Sequence, residues 1–249
     1  MKMNSMVTMT QCPECAKRGK DNHHDNLAVY PNNAVYCFSC GYYQNKSIRY
    51  KPTLPVNTLY KEIALPWDIT YDLPEKVLQY LNSFFLTRQE IKENKILWSD
   101  SKQRVCFPIF NGDKLLAWQG RYLGEDKTKP KWFSQGNLKE ILHIIKPKRN
   151  STLVLTEDIV SAIRVGSQEN FCASPLFGSN ISVQQFQRYN LNLYPNKIFL
   201  WLDKDKELES HKFALKARQI GIPCVTIVTD RDPKTYTHIE IKRILKVHM

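Results

Sequence analysis

The chain has 249 residues, 42% of them hydrophobic, and its 36 lysines and arginines exceed its 24 acids to give a formal net charge of +12. That length supports one substantial core plus a small satellite domain that needs its own source of stability. The charge points to a polyanion, nucleic acid first, because each basic side chain set against a phosphate releases condensed counterions. No apolar run of spanning length, lipidation motif or signal-peptide core is found, so the expectation is a soluble protein of a reducing, cytoplasmic compartment with no membrane partner.

Residues 1–45 are polar and carry two turns, Cys12-Pro-Glu-Cys15 and Cys37-Phe-Ser-Cys40, separated by short alternating segments at Leu27–Tyr30 and Ala34–Tyr36. Each turn presents two sulfurs to one ion, and two turns complete a closed tetrahedral shell for a single structural Zn²⁺, so Cys12, Cys15, Cys37 and Cys40 are the expected ligands of a β zinc ribbon. His23 and His24 are read as solvated loop residues. The other three cysteines, Cys106, Cys172 and Cys224, lie in apolar strand-like runs and are expected to be buried small hydrophobes.

Residues 46–65, with Lys46, Arg49, Lys51, Pro52 and Pro55 and no sustained periodicity, read as a linker. Residues 66–150 form a basic α+β region. A helix is expected near Pro74–Asn82, and another from Thr87, where Thr87-Arg-Gln-Glu90 matches a capping box. Strands follow at Lys95–Trp98, Arg104–Phe110 and Lys114–Tyr122, the last two joined by a hairpin at Asn111-Gly112-Asp113.

Residues 151–249 alternate strand and helix. Strands are expected at Thr152–Thr156, Phe171–Ser174, Lys197–Leu202 and Pro223–Thr229. Helices are expected at Ile159–Val165, ended by Gly166, at Ser182–Tyr189, at Glu207–Ile220, ended by Gly221, and at Tyr236–Val247. Four such units imply a doubly wound parallel sheet whose ligand site lies beyond the carboxyl ends of its strands. Glu157 follows the first apolar strand and Asp203-Lys-Asp205 follows the third. In an extended chain the period of two points Asp203 and Asp205 the same way, so with Glu157 they could share a pair of Mg²⁺ or Mn²⁺ ions. A fourth acid after the last strand is Asp232, with Asp230 as its rival.

This order, apolar strand, Glu157, helix, then apolar strand and Asp203-x-Asp205, resembles a Toprim domain. With a Cys₄ ribbon, a linker and a basic α+β region ahead of it, nearly the whole chain resembles DNA primases, closest to the phage type often fused to a replicative helicase. Gln119-Gly-Arg121-Tyr-Leu-Gly124 followed by Lys129-Pro-Lys131-Trp132 is similar to the basic motif that family uses near nucleotide and template. Two departures stand out. Asp158 occupies a place where Toprim domains commonly have glycine, reshaping the turn or adding a ligand, and no Walker-type GxxxxGK[ST] occurs, so a helicase is expected in trans.

The resemblance implies a two-part RNA polymerase domain, formed by the basic α+β subdomain and the Toprim sheet. It implies a nucleotidyltransferase that makes short RNA primers from ribonucleoside triphosphates on single-stranded DNA. Glu157, Asp203 and Asp205 would hold two catalytic divalent ions with Asp232, and Lys131 would join the catalytic set. Arg121, Lys127, Lys129, Lys131 and Trp132 would meet substrate or nucleic acid. If the protein is phage-encoded, its compartment is the bacterial host cytoplasm. The alternatives are a zinc and Toprim recombination mediator without catalysis, disfavoured because residues 41–156 separate Cys40 from Glu157, and a Toprim nuclease, which would not require the ribbon.

Overall fold

The computed structural model describes residues 7–30, 34–40, 42–45, 63–147, 151–178 and 198–249. The helix expected at Ser182–Tyr189 and the linker as far as residue 62 lie outside these residues. Three sheets organise the chain. The first is antiparallel, with strands β1 (Thr8–Thr10), β2 (Leu27–Val29), β3 (Ala34–Cys37) and β4 (Tyr43–Asn45) in that order, and one helical turn, α1 (Pro13–Ala16), crosses the first cysteine pair. Its small core consists of Cys12, Cys15, Leu27 and Cys37, too little apolar surface to fold a domain alone.

The second sheet is also antiparallel, in the order β5 (Ile69–Thr70), β6 (Leu97–Ser99), β7 (Arg104–Asn111), β8 (Lys114–Tyr122) and β9 (Trp132–Gln135). The β7–β8 hairpin closes as expected: Asn111 pairs with Lys114, and Gly112 supplies a φ of +60° between them. Helices α2 (Glu75–Asn82) and α3 (Arg88–Glu93) precede β6, and the Thr87–Glu90 capping box is present in both directions.

The third sheet is parallel, with the order β11 (Phe171–Pro175), β10 (Thr152–Thr156), β12 (Ile198–Leu200) and β13 (Cys224–Thr226). Its helices among the described residues are α4 (Ile159–Gly166), α5 (Glu207–Gln219) and α6 (His238–His248). Strands β10, β11 and β12 are buried on both faces, as parallel strands between covering layers must be. Leu153, Leu155, Ile198 and Leu200 face one cluster, while Val154 and Phe199 face another that extends through Val77, Leu81, Trp98 and Phe107 of the second sheet's layer. The two sheets thus share one continuous core. The remaining cysteines, Cys106, Cys172 and Cys224, are buried as expected.

Gly166 ends α4 as expected, as its last helical residue, and a Cβ there would come within 3.0 Å of the Ile145 side chain and 3.2 Å of the Ala173 nitrogen, so it also serves close packing. One local expectation is corrected. The third strand stops at Leu200, two residues short of the apolar run, so Asp203-Lys-Asp205 is not extended. Lys204–Lys206 form a 3-10 turn instead.

Arg164 of α4 ties the two layers together. Its side chain is 0% exposed, donates to the carbonyls of Phe85 (2.9 Å) and Tyr236 (3.2 Å), and lies 3.5 Å from Glu90, itself 4% exposed. Removing one member of such a pair strands a buried charge. Arg164→Met should therefore cost about 3–5 kcal/mol in chemical denaturation, and adding Glu90→Gln should return part of it.

Candidate metal centres and nucleic-acid interface

The cysteine site follows from the first sheet. Cys12 is the N-cap of α1 and Cys15 lies within it, Cys37 ends β3, and the sulfurs of all four cysteines lie within 4.8 Å of one another. Cys12 Sγ to Cys40 Sγ and Cys15 Sγ to Cys37 Sγ are each 3.6 Å. Four thiolates about 2.3 Å from a tetrahedral zinc would lie about 3.8 Å apart, so these residues fit that ion. The Asp21 carboxylate fixes the turn, accepting from the amides of Cys12 (2.6 Å), Asp25 (3.1 Å) and Asn26 (3.3 Å). Burial works against its charge, but these amide hydrogen bonds hold its pKa below the usual aspartate value. His23 and His24 are exposed and stand apart from the four sulfurs, as solvated loop residues should.

The acidic site lies where the parallel sheet reverses its winding. From β10 the chain moves to β11 on one side, whereas β12 and β13 lie on the other, so the loops after β10 and β12 diverge and leave a crevice. Glu157 follows β10 directly. Asp158, next to it, is the N-cap of α4: its Oδ1 accepts from the amides of Val160 (2.9 Å) and Ser161 (3.0 Å). It therefore neither frees the turn, as glycine would, nor keeps Oδ1 open for a metal. Asp203 caps nothing with its side chain, and its carboxylate is 18% exposed. Asp205 is turned outward, 66% exposed and paired with Lys206 at 3.1 Å. The 3-10 turn separates the two carboxylates that an extended strand would have aligned.

Asp232 belongs to the cluster and Asp230 does not. Asp232 Oδ1 accepts from the Lys204 amide (3.2 Å) beside Asp203, whereas Asp230 accepts from the Tyr236 hydroxyl. Glu157 Oε2 and Asp203 Oδ1 are buried with no hydrogen-bond partner among the described residues. Burial first, then the charge of Asp203, pushes the Glu157 carboxyl up to about 7. Burial first, then Asp158, raises Asp203 to about 6. Among the described residues only the four cysteines bring three or more potential ligand atoms within 4.8 Å of one another, but Glu157 Oε2 and Asp203 Oδ1 are carboxylate oxygens of the hard type that Mg²⁺ or Mn²⁺ takes, left open in the crevice. A cavity of about 220 Å³ lined by Lys95, Phe107, Phe110 and His143, among others, contains none of the four acids.

The basic motif lies on β8, β9 and the loop between them. Arg121 stacks between Tyr80 (5.8 Å) and Trp132 (5.6 Å), and its Nε is buried without a hydrogen-bond partner. Trp132 is half-buried, with its ring 6.0 Å from that of Phe107, so at least part of it is packing. Lys127, Lys129 and Lys131 are exposed. Trp118 is core, donating to Gln135 Oε1 (2.8 Å) and the Ala64 carbonyl (3.2 Å).

Three side chains beside these groups escape the sequence reading. Arg104, buried, donates to the carbonyls of Gly120 and Pro130 (3.0 Å each) and so fixes the loop that carries Lys127, Lys129 and Lys131. Tyr80 of α2 joins the two halves of the site: burial pushes its phenol up to about 12, with the charges of Arg121, Asp158 and Lys234 all acting on it. Lys234, in the 3-10 turn Pro233–Thr235, lies 2.9 Å from both Asp158 and Asp203. Burial opposes its charge, yet Asp158 and Asp203 hold its pKa above the ordinary lysine value. The one available signal for it was the surplus of acids that Asp158 creates in a centre with no basic residue assigned to it.

No protein-family model matches the sequence, and no curated protein matches it. Solved structures do. The primase fragment of the bacteriophage T7 primase-helicase protein aligns over 98% of this chain and 100% of its own length, with a TM-score of 0.52 at 12% identity. The zinc-binding and RNA polymerase domains of the Aquifex aeolicus primase align over 99% and 80%, with a TM-score of 0.50 at 16% identity. A DnaG primase catalytic domain solved with single-stranded DNA aligns over 72% of each chain, with a TM-score of 0.54 at 15% identity. The chain has a primase-type fold, from the four-cysteine sheet through the parallel sheet.

Two outcomes follow from the metal sites. Stripping zinc from the intact chain should remove hydrogen-exchange protection from β1–β4 while leaving β10–β12 protected, because zinc held by the four cysteines would supply about 10 kcal/mol of the small sheet's stability. Without divalent metal, folding raises the pKa of Glu157 and Asp203, so the folded state binds protons that the unfolded state does not. Stability should rise as pH falls from about 7 towards the ordinary carboxylate range. Glu157→Gln should accordingly stabilise the metal-free protein at pH 8 by on the order of 1 kcal/mol after solvent screening, read as a higher melting temperature, and change its stability less at pH 5.

Proposed function

We propose that this protein is a DNA primase, a nucleotidyltransferase that joins ribonucleoside triphosphates into short RNA primers on a single-stranded DNA template. The observation that carries the reading is the pair of buried, unpartnered oxygens, Glu157 Oε2 and Asp203 Oδ1, at the crevice between β10 and β12, linked through Tyr80 to the unpaired guanidinium Nε of Arg121. A primase-type fold and a net charge of +12 support it.

In this reading Glu157 and Asp203, with Asp205 and Asp232 at the rim, hold divalent metal. Metal held by these acids would supply Lewis-acid stabilisation of an ionised 3′-hydroxyl and of a departing pyrophosphate. The chain's own groups do the rest. Arg121, fixed between Tyr80 and Trp132, offers a preorganised fork for a phosphate, and Lys131, on the loop held by Arg104, offers a point charge. Lys127 and Lys129 extend the basic surface along the template. Glu157 also assists proton transfer from the attacking hydroxyl in this reading. The zinc ribbon contributes template selection at initiation, and a replicative helicase acting in trans would deliver the single strand.

Wild-type protein supplied with single-stranded DNA, ribonucleotides and Mg²⁺ or Mn²⁺ should form dinucleotides. Glu157→Gln and Asp203→Asn should each reduce that rate by at least about a thousandfold with little change in DNA binding. Arg121→Ala should mainly raise the KM for ribonucleotide. Cys37→Ser with Cys40→Ser should abolish initiation at preferred sites while sparing extension of a supplied dinucleotide. Undiminished synthesis by Glu157→Gln would contradict the assignment.

A further inference from the structure

The acidic crevice already contains a cation. Lys234 Nζ is 2.9 Å from Asp158 Oδ2, 2.9 Å from Asp203 Oδ2 and 3.4 Å from Asp232 Oδ2, with the side chain 19% exposed. An ammonium has three donors, and here three carboxylates surround it. We propose that Lys234 is a built-in cation of this centre, occupying one of the two positions its acids offer and leaving a single divalent-ion position in the nucleotide-free protein. The inference rests on the reading of this crevice as a metal centre and specifies how many ions it takes.

The hydrogen bonds apportion the oxygens. Asp158 is spent: Oδ1 accepts from the Val160 and Ser161 amides, and Oδ2 accepts from Ser161 Oγ (2.9 Å) and from Lys234. Its role is to anchor the lysine from the N-cap of α4. Asp203 is divided, with Oδ2 on Lys234 and Oδ1 unpartnered. Asp232 Oδ1 accepts from the Lys204 amide, and its Oδ2 faces the lysine. What remains buried and open is Glu157 Oε2 with Asp203 Oδ1, the place for one divalent ion. Lys234 is held in place by the turn that carries it, where Asp232 O accepts from the Thr235 amide (2.9 Å) and hydroxyl (2.7 Å). A second divalent ion would have to bring its ligands with a triphosphate.

The test is a Mn²⁺ titration of the zinc-replete full chain without nucleotide, reading free Mn²⁺ by its paramagnetic resonance signal. Wild type should bind one Mn²⁺ that Asp203→Asn removes, and Lys234→Arg should still bind one. Lys234→Met, which keeps length and removes charge, should bind a second ion or bind the first at least tenfold tighter. Two ions in wild type, or unchanged stoichiometry and affinity in Lys234→Met, would overturn the proposal. If Lys234→Met unfolds in metal-free buffer, refolding by Mn²⁺ but not by matched Na⁺ supports it, and no refolding counts against it. One Mn²⁺ in wild type and a second in Lys234→Met without RNA synthesis would sink the primase reading alone. RNA synthesis with two ions in wild type would sink only the role of Lys234, and absence of any Asp203-dependent Mn²⁺ would overturn both.

Discussion

Negative charge concentrated at the carboxyl ends of β10 and β12 is the constraint on which the site depends. Glu157, Asp158, Asp203 and Asp232 converge on one crevice in which water solvates them poorly. Such a group of acids folds only if something neutralises it. The chain does so in three ways. It caps α4 with Asp158, it inserts Lys234, and it lets Glu157 and Asp203 hold protons near neutral pH until a cation takes their place. In the proposed reading, the same imbalance that costs stability without metal would become affinity for a hard cation.

The surroundings extend that logic to a polyanion. The layer of α2 and the second sheet shares its core with the parallel sheet, which positions Tyr80, and Tyr80 with Trp132 positions Arg121, while the buried Arg164–Glu90 pair ties the two layers. A negative crevice beside a stacked arginine and a lysine-bearing loop can hold metal and phosphate side by side. The four-cysteine sheet is different in kind: cysteines make up most of its main buried cluster, and the Arg218 guanidinium of α5 lies 5.3 Å from its Tyr36 ring.

Short-range chemistry was legible in the sequence. The cysteine spacing, the Thr87 capping box, the Asn111 hairpin and the placement of Glu157 at the end of β10 all follow from neighbours a few residues apart. What could not be read depends on distant partners or on where hydrogen bonding stops. Trp201 and Leu202 continue the apolar run, yet β12 ends at Leu200, and the 3-10 turn after it separates Asp203 from Asp205. Gly166 is the helix stop its position suggests, but its close contact with Ile145 depends on a distant partner and was not legible. Lys234 is paired with Asp158, far away in sequence, and nothing in the local pattern around Asp232-Pro-Lys234 distinguishes that lysine from a solvated one.

The most direct measurement of the central claim is the chemical identity of the product made by the wild-type chain. Unprimed single-stranded oligonucleotides of varied sequence are incubated with labelled ribonucleotides and Mg²⁺ or Mn²⁺, and both nucleic acids are sequenced. The account predicts short new RNA complementary to intact template, dependent on the divalent ion. Shortened DNA without RNA, or bound DNA with neither product, would contradict it.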